Sequence, residues 1–111
     1  MKAATVYACV AFCMLTYPAG AGEYATYGPG ANSCGKWVKA EEMSRAVGMS
    51  WVLGFMTAMN FRNGRSGNQH TDVTHGTDAD SLELWLVNYC SEHPLEDLNA
   101  ATLSLYFELV K

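Results

Sequence analysis

Apolar positions in this chain fall into one nearly unbroken run and several stretches with helical spacing. The unbroken run covers residues 3–15, too short to span a bilayer and without a polar face. Lys2 precedes it, and the small residues Ala19 and Ala21 follow. These are the three parts of an export signal, with cleavage expected after Ala21. The longest periodic stretch, residues 43–61, places Val47, Trp51, Phe55 and Ala58 or Met59 three or four apart and predicts a helix that buries that side. On the same helix Gly54 and Ala58 leave room for a neighbouring helix to come close.

Upstream, Asn32 or Ser33 can cap a short helix through Cys34, Trp37 and Val38 to about Glu42. Residues 22–32, rich in Gly, Tyr and Ala, read as an irregular arm. Residues 62–76 lack apolar periodicity and predict a surface loop. Thr77 then opens a helix whose first turn carries Asp78 and Asp80, whose inner side holds Leu82, Trp85 or Leu86, and Tyr89, and which ends near His93. Pro94 fits the first turn of a last helix through Leu98, Ala101 or Thr102, Leu105 and Leu109. No stretch alternates strictly, so residues 22–111 are expected to form one all-α domain of four helices.

Removing residues 1–21 takes away Cys9 and Cys13 and leaves Cys34 and Cys90 as the mature chain's cysteines. In an oxidising compartment such a pair is expected to form a disulfide, here between the first helix and the end of the third. Cleavage also removes Lys2 and moves the formal charge from -4 to -5. An acidic chain of this size argues against a nucleic acid or anionic membrane as partner.

The candidate chemistry is sparse. His70, Asp72, His75, Asp78 and Asp80 have metal-ligating side chains, but their spacing matches no closed ligand set, and they are expected to be a solvated loop and helix cap. Ser33 and Lys36 fit the S-x-x-K pattern of some serine nucleophiles, without its companion motifs, and suit a helix cap better. Neither a catalytic residue nor a cofactor is expected, and the chain reads as a non-enzyme. Trp37, Trp51, Phe55, Trp85, Leu86 and Tyr89 are the candidates for a protein-binding surface, in competition with a role in the core.

The run Ser33-Cys34-Gly35-Lys36-Trp37-Val38, the Trp-containing second helix, and Thr77-Asp78 leading to Tyr89-Cys90-Ser91-Glu92-His93-Pro94 resemble the HdeA/HdeB periplasmic acid-stress proteins. That resemblance implies a small helical domain with one disulfide, dimeric near neutrality, which comes apart in acid and holds unfolding clients on exposed apolar surface. The chain departs from it in being poor in lysine, with a short, largely uncharged C-terminus. A second likeness rests on Leu86-Val87-Asn88-Tyr89, His93-Pro94-Leu95, Leu98-Asn99-Ala100-Ala101 and Trp51-Val52-Leu53-Gly54-Phe55, which are similar to the Rap/Tai-type immunity proteins of type VI secretion. It implies one folded effector as partner, cationic at the contact, in place of many clients. Both place the chain outside the cytoplasm, periplasmic or secreted, with a protein partner and a homodimer as an open state.

Overall fold

Ser33 has extended backbone, and its hydroxyl accepts from the Lys36 amide at 3.2 Å, which turns the chain into helix α1, Cys34–Val38. The computed structural model describes residues 23–111, so the expected export signal over residues 1–21, with Cys9 and Cys13, lies outside the described residues. Five residues are too few for a helix to hold itself. Remote groups hold α1: the Cys34 amide donates to the Glu96 carbonyl at 2.7 Å and the Gly35 amide to the Pro94 carbonyl at 3.0 Å. These satisfy two of the N–H groups that a helix start leaves without partners. Cys34 is disulfide-bonded to Cys90, with Cα atoms 4.8 Å apart.

Helix α2, Glu42–Arg65, is roughly 36 Å long at 1.5 Å per residue. Its buried line is Gly48, Met49, Val52, Met56 and Asn63, rotated by about one residue from the predicted one. Val47 is exposed, and Trp51, Phe55 and Met59 lie half-buried along the edge of the core. The rotation follows from close packing at Gly48, where a Cβ would fall 2.3 Å from the Trp37 Nε1 atom. Flexible methionines fill the space beyond it. Close approach therefore occurs at Gly48. It does not occur at Gly54 and Ala58, since no atom of the described residues lies within 4 Å of a Cβ built at Gly54 and Ala58 is exposed.

The expected loop over residues 62–76 begins later. Helix α2 runs on to Arg65 because Asn63, 3% exposed, donates from its amide to the His70 carbonyl at 2.7 Å and to the Tyr106 hydroxyl at 3.2 Å. Gly67, at φ 74°, then takes the chain out of the helix in a left-handed conformation that favours glycine. Nor is the loop wholly superficial: Val73 is buried, and its amide donates to the Asn60 side chain at 2.9 Å.

Helix α3, Ala79–Glu92, is capped by Asp78, whose carboxylate accepts from the Ser81 amide at 2.7 Å; Thr77 stays in the preceding turn, bonded to the Thr74 carbonyl. Helix α4, Leu98–Leu109, is capped by Asp97 and starts four residues after Pro94, not at it. Residues 94–96 form a turn, closed by the Glu96 amide on the His93 carbonyl at 3.2 Å, and the Pro94 and Glu96 carbonyls serve α1 while Leu98 donates back to the Asn32 carbonyl at 2.9 Å. The expected irregular arm over residues 22–32 contains a 3-10 turn, Gly28–Ala31, laid against α2 and α4.

Leu98, Ala101, Thr102, Leu105 and Tyr106 of α4 fill the centre, meeting Leu82, Leu86 and Cys90 of α3, Met49, Val52 and Met56 of α2, and Cys34 and Trp37 of α1. The described residues thus form an all-α domain of four helices with one disulfide and no strand. None of these helices is long and apolar enough to cross a membrane.

Two glycines on α2 separate the effects. Gly48→Ala is expected to destabilise by roughly 1–3 kcal/mol, because the new methyl overlaps the Trp37 ring. Gly54→Ala is expected to stabilise by about 0.5–1 kcal/mol, since only backbone entropy changes there. Urea denaturation midpoints of both variants check the pair, and replacing Cys34 and Cys90 together by Ala is expected to cost about 4 kcal/mol in the same assay.

Candidate functional site

Helix α4 carries apolar residues beyond its buried face, with Leu103 half-buried and Phe107 exposed, a pattern that belongs to a helix offering a second face. Its inner face fills the core, and its outer residues leave a groove. Phe55 and Met59 of α2 form one wall, and Leu103, Tyr106 and Phe107 of α4 form the other. Tyr24 of the arm and Arg62 of α2 complete the lining. The groove holds about 370 Å³, a volume in the range of ligand pockets, and its surface is mostly apolar. Tyr24 is 59% exposed and Phe107 61%, so the apolar walls reach solvent.

Three contacts fix its geometry. Tyr106 accepts from Asn63 through its hydroxyl, which ties α4 to the last turn of α2. Tyr24 accepts from the Asn99 amide at 2.9 Å, which seats the arm on the start of α4. Trp51 stacks on Phe55 with ring centroids 5.9 Å apart and donates from Nε1 to the Tyr27 carbonyl at 3.0 Å. Behind the Trp51 ring lies Gly30; a Cβ there would fall 2.2 Å from the indole, so the arm can close on it only as glycine.

The six aromatic and aliphatic candidates named from sequence divide among three places. Trp37 and Leu86 are core residues, 3% and 0% exposed, and Trp37 donates to the Arg45 carbonyl at 3.4 Å. Trp51 and Phe55 brace and line the groove. Trp85 and Tyr89 form a separate stack on α3 with His93, at centroid distances of 5.3 Å and 4.2 Å. The Tyr89 hydroxyl donates to Glu96 at 2.9 Å and accepts from Ser104 at 3.0 Å, so this stack braces the turn that carries Pro94. Sequence reading missed Tyr24, Arg62, Leu103, Tyr106 and Phe107. The signal available for the last three was that α4 has more apolar residues than one buried face requires.

The polar candidates are also placed. Ser33 is occupied as the α1 cap, and the Lys36 ammonium turns to the Asn32 side chain at 3.3 Å. His75 and Asp72 lie 3.5 Å apart on the exposed loop, the His70 carbonyl serves Asn63, and Asp78 caps α3. Among the described residues no three His, Cys, Asp or Glu side chains gather as a ligand set. A second cleft, of about 340 Å³, lies at the start of α2 beside Lys36 and Trp37, with Met43 and Val47 at its mouth. Comparison with family models, with curated proteins and with solved structures yields no match to this chain.

Hydrogen bonds from the Ser81 amide and hydroxyl hold the Asp78 carboxyl below its ordinary value. A lowered value means that the cap contributes stability above the unfolded carboxylate range near ~4, and that this contribution is lost as the pH falls through the lower folded value. The Ser81 amide resonance is expected to titrate with Asp78 below about pH 4. Asp78→Asn, a cap that does not ionise, is expected to abolish that titration in an NMR pH series while keeping α3 intact.

Proposed function

We propose that the mature chain is an exported protein-binding protein of the bacterial periplasm, acid-stress chaperone-like, that works without catalysis and meets its partners through the groove between α2 and α4. The observation that carries this reading is the groove itself: an aromatic and aliphatic cleft, open to solvent, on a small disulfide-bonded domain. The disulfide suits an oxidising compartment. In strong acid the eleven carboxylates become neutral, while six Lys/Arg of residues 22–111 and three His are charged, so side-chain charge swings from -5 to about +9. Self-repulsion then loosens the packing of α2 and α3 against α4, and the Cys34–Cys90 bond limits the expansion. Core residues such as Trp37 and Leu86 would join the groove as client-holding surface.

A second reading is favoured by one observation, that the groove is already formed and braced in the folded chain by Asn63–Tyr106 and Trp51–Tyr27. A pre-organised cleft suits one folded partner, as an immunity protein needs for its effector, because little ordering is left to do on binding.

Light scattering of an acid-labile reporter enzyme at pH 2 separates the two. Chaperone-like action predicts suppressed aggregation together with new dye-binding surface, and loss of both on reduction of the disulfide. A chain that stays native and inert at pH 2 removes that reading. Effector neutralisation predicts instead a neutral-pH complex with a toxin encoded beside the gene, weakened about tenfold or more by Phe107→Ala. If no protein is held at either pH, the protein-binding proposal fails as a whole.

A further inference from the structure

Among the described residues Arg62 is the only charged side chain lining the α2–α4 groove. It lies one turn beyond Met59, and among the described residues no carboxylate comes within 4 Å of it. The other arginine at a cleft of α2, Arg45, does have one, Glu83 at 3.4 Å. Glu108, beside Phe107, is engaged by Lys111. A cation near the C-terminal end of a helix is favoured by the helix dipole, which accounts for a charge in the last turn of α2. Arg62 is exposed at the groove, so its guanidinium is available to a carboxylate that enters beside the apolar walls. The cationic contact expected of an effector from the overall charge is therefore reversed at this groove.

We infer that the groove takes a segment of a partner protein that is apolar along one side and carries a carboxylate, with the apolar side against Phe55, Met59, Leu103 and Phe107 and the carboxylate on Arg62. This rests on the protein-binding reading in its neutral-pH form and adds the chemistry of the occupant. The apolar contacts supply most of the affinity, by removing the exposed rings of Tyr24 and Phe107 from water. The Arg62 pair, at the rim, supplies selectivity: an exposed ion pair is worth roughly a two- to five-fold preference. Arg62 offers a planar fork of donors that fits a carboxylate with two parallel bonds.

Two-dimensional NMR of the disulfide-bonded mature chain at pH 7 tests this, with 4-phenylbutyrate as the probe and 4-phenylbutanol and 4-phenylbutylamine as its neutral and cationic counterparts. The expected result is resonance shifts at Met59, Leu103 and Phe107, with the carboxylate binding roughly two to five times more tightly than the alcohol and the amine most weakly. Arg62→Gln should erase the advantage of the carboxylate and leave the alcohol unchanged; Phe107→Ala should weaken all three. Equal binding of the three probes, shifts confined to other surfaces, or a homodimer that covers the groove and that Phe107→Ala converts to monomer would each overturn the inference. Protein binding at neutral pH that is unaffected by Arg62→Glu overturns it while the protein-binding reading survives. Probe binding as expected with no protein held at either pH overturns both.

Discussion

The meeting of α1 with the turn between α3 and α4 is the constraint on which the remaining structure depends. There the Cys34–Cys90 bond, the amides of Cys34 and Gly35 on the Glu96 and Pro94 carbonyls, and the Leu98 amide on the Asn32 carbonyl lie within a few residues of one another. The covalent bond shortens the unfolded chain's reach, and the hydrogen bonds fix direction: α1 points into the core with Trp37 leading, and α4 leaves the turn from its Asp97 cap. With α4 in that direction its inner face meets α2 and α3 together. The Gly48 notch then receives Trp37, and the rotational setting of α2 follows from it.

That setting decides where the groove lies. With Met49, Val52 and Met56 turned inward, Trp51, Phe55 and Met59 are displaced to the edge of the core beside Leu103 and Phe107. The arm completes the arrangement. Gly30 accepts the Trp51 ring, Tyr27 takes its N–H, and Tyr24 reaches Asn99. Half-burial of an aromatic row along one helix is thus a packing outcome and at the same time the origin of the open apolar surface.

The helical class, the order of four helices and the cysteine pairing were legible in the chain, because each depends on local periodicity, caps and the count of cysteines left after residue 21. The phase of α2 was not. Spacing favoured the bulky row Val47, Trp51 and Phe55, whereas the core selected the small and flexible row Gly48, Met49, Val52 and Met56, a choice made by Trp37 eleven residues upstream of Gly48. The extension of α2 to Arg65 depended on Tyr106, and the late start of α4 on the needs of α1, both long-range facts that no local window contains. Of the residues named from sequence, Phe55 lines the groove with Trp51 stacked on it, whereas Trp37 and Leu86 are internal. Arg62 was hidden in a segment that reads as loop.

The dependence of α1 on the carbonyls of Pro94 and Glu96 also bears on the order in which the chain can acquire structure. A five-residue helix with two of its first amides satisfied by residues about sixty positions later cannot persist before those residues are present. The first helix in sequence is thus among the last able to form as the polypeptide emerges. A fragment that ends before Pro94 lacks the partners of α1 and cannot hold that helix.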